Sequence, residues 1–175
     1  MYHRKILTTT NILILITIFT YIIQKTIQNG DILFGLNIYF FTHALYHQLI
    51  STMFTHSDIE HLLMNMFVLW QFGNLLEQYI GKVRFLLLYF IGGILTSIGT
   101  LVYIYFTSDL INVVGASGAI SVLLGFLALK DQEQRKGIIV WILLISFAPL
   151  LFGVPVAWYA HLIGFAFGWM MGYFI

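Results

Sequence analysis

Residues 115–128, GASGAISVLLGFLA, open one apolar run of the chain, and residues 160–172, AHLIGFAFGWMMG, open another. Their reading decides the fold. At about 100° per residue, Gly164, Gly168 and Gly172 all fall within roughly 60° of His161 around a helix, so that face is bare backbone. On the other run Ser117, Ser121, Gly125 and Ala128 form a second stripe of small residues. Two such stripes let helix axes approach closely inside a membrane, and close approach puts Ser117 and His161 within hydrogen-bond reach. A hydroxyl and an imidazole are both expensive to place in hydrocarbon and mark function more often than packing. The pair is therefore a nucleophile with its base, or else the glycines are packing devices and Ser117 bonds back to its own helix.

Composition supplies the setting. Of the 175 residues, 60% are hydrophobic and 9% charged, and the mean hydropathy is +0.92, outside the range of a soluble globular domain. The chain reads as an all-α, polytopic membrane protein. Six apolar stretches separate: Ile6 to Ile23, His61 to Ile80, Val83 to Phe106, Ser117 to Leu129, Ile138 to Phe152, and Val156 to Ile175. The fourth and fifth are the short ones, below the roughly 20 residues of a perpendicular crossing. The first follows His3, Arg4 and Lys5 but has no small-residue cleavage site after Ile23, so a retained span is expected rather than a signal peptide. There is no cysteine, hence no thiolate nucleophile, disulfide or thiol metal site.

Basic residues orient the chain. Arg4, Lys5, Lys82, Arg84, Lys130, Arg135 and Lys136 fall at the N-terminus or in alternate connections, and only Lys25 lies on the other side. The positive-inside rule then places both termini in the cytoplasm. A net charge of +1 leaves no phosphate-binding patch and no nucleic-acid partner. No linker, repeat or long hydrophilic stretch divides the chain, so 1–175 is expected to be a single membrane domain. The connection from Gln24 to Glu60 carries Phe34, Leu36, Tyr39, Phe40, Phe41, Leu45, Tyr46, Leu49, Met53 and Phe54, and is too apolar for a solvated loop. It is expected to lie in the membrane interface.

Parity strengthens the case for a site. With the N-terminus inside, the second, fourth and sixth spans all run from outside to inside, and their first turns carry His61 and Asn65, then Ser117, then His161. These share one depth, on the order of 10 Å below the outer surface at 1.5 Å per residue. His61 and Asn65, four apart, project from one helix face. They are candidate donors to an oxyanion together with the Ser117 backbone NH, or a structural pair that caps and bridges helices.

The motifs His61-Leu-Leu-Met-Asn65, Gly73-x-x-x-Glu77, Gly115-Ala-Ser117-Gly118-Ala-Ile and Ala160-His161-x-x-Gly164-x-x-x-Gly168 resemble, in that order, those of the rhomboid family, from about His43 to the C-terminus. The resemblance implies a six-helix rhomboid-like bundle and an intramembrane serine endopeptidase with a serine–histidine dyad and no acidic third member. It implies Ser117 as nucleophile, His161 as base and then acid, and His61, Asn65 and the Ser117 NH as oxyanion hole. His56 matches a histidine that orders the first outer loop. Gly115, Gly118, Ser121, Gly164 and Gly168 support the dyad and its helix packing. Glu77 is expected to bond loop backbone at the inner surface. Single-span transmembrane proteins are the implied substrates, in a lipid bilayer, with no cofactor and no metal. A bacterial inner (plasma) membrane, with the site opening outward, fits this form.

Two positions depart from the family pattern. A Trp-Arg pair of the first outer loop is replaced by His47 and Gln48. An aromatic four residues after the nucleophile is replaced by Ser121, which leaves Trp158, Tyr159 or a hydrogen bond from Ser121 to hold the His161 ring. Pro149 and Pro155 bracket the end of the fifth stretch and loosen its outer turn, or are plain loop-proximal prolines. Other function classes fit less well. A non-proteolytic relative that only binds membrane helices has no need of an intact Ser117 and His161. A transporter wants polar residues continuing to the inner face. A metal site on His56, His61 and His161 lacks acidic ligands and a HExxH pair.

Overall fold

A computed structural model of the chain describes residues 7–107 and 110–175. The topology signals His3, Arg4 and Lys5, and Ile6 at the start of the first stretch, lie outside the described residues. Every apolar stretch forms helix: α1 (Thr9–Thr26), α5 (Ile59–Val68) continuing through a π-helical turn (Leu69–Gly73) into α6 (Asn74–Ile80), α7 (Lys82–Thr107), α8 (Ser117–Lys130), α9 (Arg135–Leu151) and α10 (Trp158–Met171). Between α1 and α5 lie three short α-helices, α2 (Gly30–Phe34), α3 (Tyr39–Thr42) and α4 (Gln48–Ser51), and a 3-10 turn (Thr52–Phe54).

Capping chemistry accounts for most differences from the expected boundaries. The helix expected from His61 starts at Ile59, because the Asp58 carboxylate accepts the His61 amide at 2.8 Å. The fifth starts at Arg135, after Asp131 has accepted the amides of Glu133 and Gln134. Arg135 reaches back to the carbonyls of Ala128 and Leu129 and closes the end of α8. The short helices are the fourth and sixth, with 14 residues each, rather than the fourth and fifth. Residues 154–157, around Pro155, are not helical, so α10 begins only at Trp158, while α9 reaches 17 residues.

Among the described residues Glu77 serves a helix start rather than a loop. Its carboxylate accepts the amides of Thr9 and Thr10 and the Thr10 hydroxyl, each at 2.8 Å, and so caps the first turn of α1. The physical reason is local: the Thr8 hydroxyl takes the Asn11 amide and leaves those of Thr9 and Thr10 open to an anion at the positive end of the helix.

Burial orders the bundle. Helix α8 is apolar all round, and every residue from Ala119 to Ala128 is buried, as a central helix must be. It packs on α10, α7 and α9. The outer faces stay apolar: Leu15 and Phe19 of α1 are 63% and 65% exposed, and Phe67 of α5 is 61%. So much contiguous exposed hydrocarbon suits lipid, not water. Among the described residues two helices, α1 and α7, are by themselves long and apolar enough to cross a membrane.

The segment between α1 and α5 has its own polar core. Gln48, wholly buried, donates to the carbonyls of Ile32 and Leu33 and accepts the Asn37 amide. Leu36 and Val113 exchange both backbone hydrogen bonds at 2.8 Å, Asn37 donates to the Asn112 side chain, and the Thr52 hydroxyl donates to the Val113 carbonyl. This loop is therefore fastened to the strand-like stretch that leads into Ser117.

Candidate active site

Ser117 is the first residue of α8, and the turn before it is set by Gly115 at φ +122°, a conformation side chains rarely adopt. The Gly115 amide donates to the Thr52 carbonyl at 3.0 Å. A methyl group on Gly115 would also stand 2.8 Å from Nε2 and Cε1 of His61, so the bare α-carbon makes room for that ring. His61 sits in the first turn of α5, with Nδ1 3.1 Å from the Ser57 hydroxyl. Asn65, one turn further on, donates an amide proton to the His61 carbonyl at 2.9 Å.

His161, in the first turn of α10, is 7% exposed. Its Nε2 lies 3.0 Å from Ser117 Oγ. The approach is backbone on backbone, since side chains at Gly164, Gly168 and Gly125 would collide with the carbonyl oxygens of Gly118, Val122 and Phe165. A methyl on Gly118 would meet Thr96 of α7 at 3.1 Å.

The three expected holders make contacts of their own. Ser121 donates to the Ser117 carbonyl at 2.7 Å, the usual back-bond of a helical serine. Tyr159 stacks on Tyr103 of α7, with centroids 3.8 Å apart, and Trp158 packs edge-on to Tyr103. Ser146 of α9 meets the other ring nitrogen, its Oγ lying 3.2 Å from Nδ1.

His56 stands behind the nucleophile turn. Its backbone is clasped by the Gln24 amide, which donates to the His56 carbonyl at 2.8 Å and accepts its NH at 3.0 Å. Nε2 accepts the Ala116 amide at 3.4 Å, and the ring lies edge-on to His61 with centroids 5.1 Å apart. Burial first, then the neighbouring His61, holds the imidazole down to about 3, so it is neutral at physiological pH. Among the described residues no group of three or more His, Cys, Asp or Glu side chains is gathered to hold a metal ion.

The structure thus brings Ser117 and His161 together and sets the His61 ring against the turn before Ser117 with His56 behind that turn, while Asn65 lies one turn deeper on α5, bonded to its own helix. The sequence reading missed Gln24, Thr52, Asn112 and Ser146. Ser146 had a signal: with Ile138 and Ile142 it forms the one buried stripe of α9, and it is the only hydroxyl on it.

A helical bundle with a lipid-suited rim and a serine–imidazole pair at two helix starts defines a class of membrane protein. The comparisons give the family. A model described as the Rhomboid domain matches residues 43–175, and the chain belongs to the rhomboid family. It is 31% identical over 141 residues to presenilin-associated rhomboid-like protein A, mitochondrial, of Danio rerio, which covers 71% of this chain and 37% of that protein. It is 36% identical over 136 residues to YdcA of Bacillus subtilis, covering 72% of this chain and 65% of that one. Rhomboid protease GluP of Bacillus subtilis is 37% identical over 89 residues, or 51% of this chain and 17% of GluP. The chain therefore spans less than two thirds of these relatives' own lengths. Helix α1 and loop helices α2 and α3 lie before the matched domain.

Proposed function

We propose that the protein is an intramembrane serine endopeptidase that cuts transmembrane segments of other membrane proteins near the outer face. The observation that carries the reading is the 3.0 Å contact between Ser117 Oγ and His161 Nε2 at the starts of two tightly packed helices. Relatives named as rhomboid proteases support it.

In this reading Oγ attacks the scissile carbonyl carbon while its proton passes to Nε2. The oxygen that becomes negative is received by the Ser117 NH, His61 and Asn65. Nε2–H then protonates the leaving amide nitrogen, which departs, and water attacks the acyl ester with the same imidazole as base, restoring the serine. His56 stays neutral and fixes the Ala116 amide, so the peptide plane before the nucleophile keeps its direction.

Substrates of this reading are single-span proteins. A groove of about 620 Å³ runs between α5 and α9, lined by Leu63, Met64, Phe67, Val68, Gln71, Phe72 and Trp141, on the same helix as His61 and Asn65. An apolar helix fits such a lining, and its carbonyls must leave their own helix before attack. Six crossings, cytoplasmic termini, a first outer loop in the interface and a bacterial plasma membrane complete the proposal.

The test is cleavage of a fluorescent transmembrane peptide by the detergent-purified protein, beside Ser117→Ala and His161→Ala. Cutting by the parent and silence of both folded variants is the expected result. A Ser117→Ala protein that cuts as fast as the parent overturns the proposal, as does a parent that neither cuts nor is labelled at Ser117 by a fluorophosphonate.

A further inference from the structure

A neutral imidazole carries one proton, and a base that must take another from a serine needs its bare nitrogen aimed at that serine. In triads a carboxylate enforces this by accepting from the other nitrogen. Here the carboxylates whose partners are known are occupied elsewhere: Asp58 caps α5, Glu77 caps α1 and Asp131 caps the turn before α9.

From the geometry of α9 we infer that Ser146 is the positioning residue that fixes the tautomer of His161. Ser146 is wholly buried. Its Oγ is 2.6 Å from the Ile142 carbonyl and 3.2 Å from His161 Nδ1. A hydroxyl has a single proton, and the carbonyl, which has none, can only accept; the Ser146 proton therefore goes to Ile142. Oγ then has only lone pairs to offer Nδ1, so Nδ1 must carry the imidazole proton. Nε2 is left bare, 3.0 Å from the Ser117 hydroxyl that it is to deprotonate.

The opposite tautomer needs two losses at once. Ser146 would have to turn its proton from a buried carbonyl to Nδ1, and Ser117 would have to accept from Nε2–H, which leaves it no base. The resting relay is neutral: Ile142 carbonyl, Ser146 hydroxyl, His161 ring, Ser117 hydroxyl. It orients the imidazole as a carboxylate does but adds no ion pair when the ring becomes charged. Because Ser146 belongs to α9, the tautomer that suits the base on α10 to the nucleophile on α8 is fixed only with a third helix docked.

This inference rests on His161 being the general base, and its test separates the two. The full-length protein in detergent, with ¹⁵N-labelled histidine, is examined by NMR, His161 being assigned by its loss in His161→Ala. The expected parent spectrum has His161 protonated at Nδ1, and Ser146→Ala shifts it toward Nε2–H while Ser146→Thr, which keeps the hydroxyl, restores it. In cleavage, Ser146→Ala is expected to lower kcat roughly tenfold to a hundredfold with KM unchanged, with recovery in Ser146→Thr. A parent His161 protonated at Nε2 overturns the inference whether or not the protein cuts. So does a folded Ser146→Ala variant with parental tautomer and parental kcat.

Discussion

A single methyl group at Gly168 should disable the protein without touching the pair it separates. The new carbon would collide with the Val122 carbonyl oxygen and stand 2.6 and 2.8 Å from the Val122 carbonyl carbon and Cα. Non-bonded carbons rest at about 3.5–4.0 Å, so α8 and α10 must part by roughly 1 Å. The obstacle is backbone, which has no rotamer to turn aside. Added to the 3.0 Å between Ser117 Oγ and His161 Nε2, that displacement ends the hydrogen bond. Overpacking of this kind costs about 1–3 kcal/mol, which a folded bundle survives. A misplacement of about 1 Å at reacting groups costs on the order of 10²-fold in rate. Gly168→Ala is therefore expected to unfold at a somewhat lower temperature yet to lose about a hundredfold in kcat on a transmembrane peptide. Gly137→Ala is the control, because nothing lies within 4 Å of such a methyl, and a gain of at most about 1 kcal/mol in helix propensity is all it brings. A folded Gly168→Ala protein that cleaves at the parental rate would refute the reasoning.

Removal of the α1 cap should act on stability alone. Glu77→Ala leaves the Thr9 and Thr10 amides without their acceptor and is expected to cost about 1–3 kcal/mol in chemical denaturation, with Glu77→Gln intermediate and the rate per folded molecule unchanged. Acid should weaken the fold through His56. Its folded-state value lies at about 3 against an ordinary 6.5, so the unfolded chain takes the proton first. Its contribution is complete above about pH 6.5 and is lost as pH falls toward about 3, at up to about 1.4 kcal/mol per pH unit. Thermal unfolding across that window checks this, and His56→Gln should flatten the slope.

The bundle was legible because polar residues are conspicuous in apolar runs. Ser117 and His161 stood out for that reason, and the glycines at 164 and 168 told which helix faces meet. The shared direction of three spans pointed to His61 and Asn65, and the family motifs added His56. What was not legible depended on where side chains end rather than where they begin. Glu77 was assigned to the correct end of its helix but to the wrong partner, because nothing in the sequence says that Thr8 leaves two amides open. Ser146 was hidden by its dual role: a serine in an apolar helix is expected to bond its own carbonyl four residues back, and it does, while also receiving the imidazole. Gln24 sits where α1 gives way to a loop, and its two bonds to His56 join residues far apart in the chain. The π-helical turn at Leu69–Gly73 lies inside a continuous helical run with no proline to announce it.

The split of the pair between α8 and α10 has a consequence for biosynthesis. Helices emerge from the ribosome in order, and the serine is made some forty residues before the imidazole that stands beside it. A nascent chain with α8 and α9 already in the bilayer holds the hydroxyl, and even its distal partner Ser146, but no proton acceptor. If the pair is the dyad proposed above, it stays inert among the newly inserted helices of its neighbours until α10 has been threaded into the seam its glycines leave open.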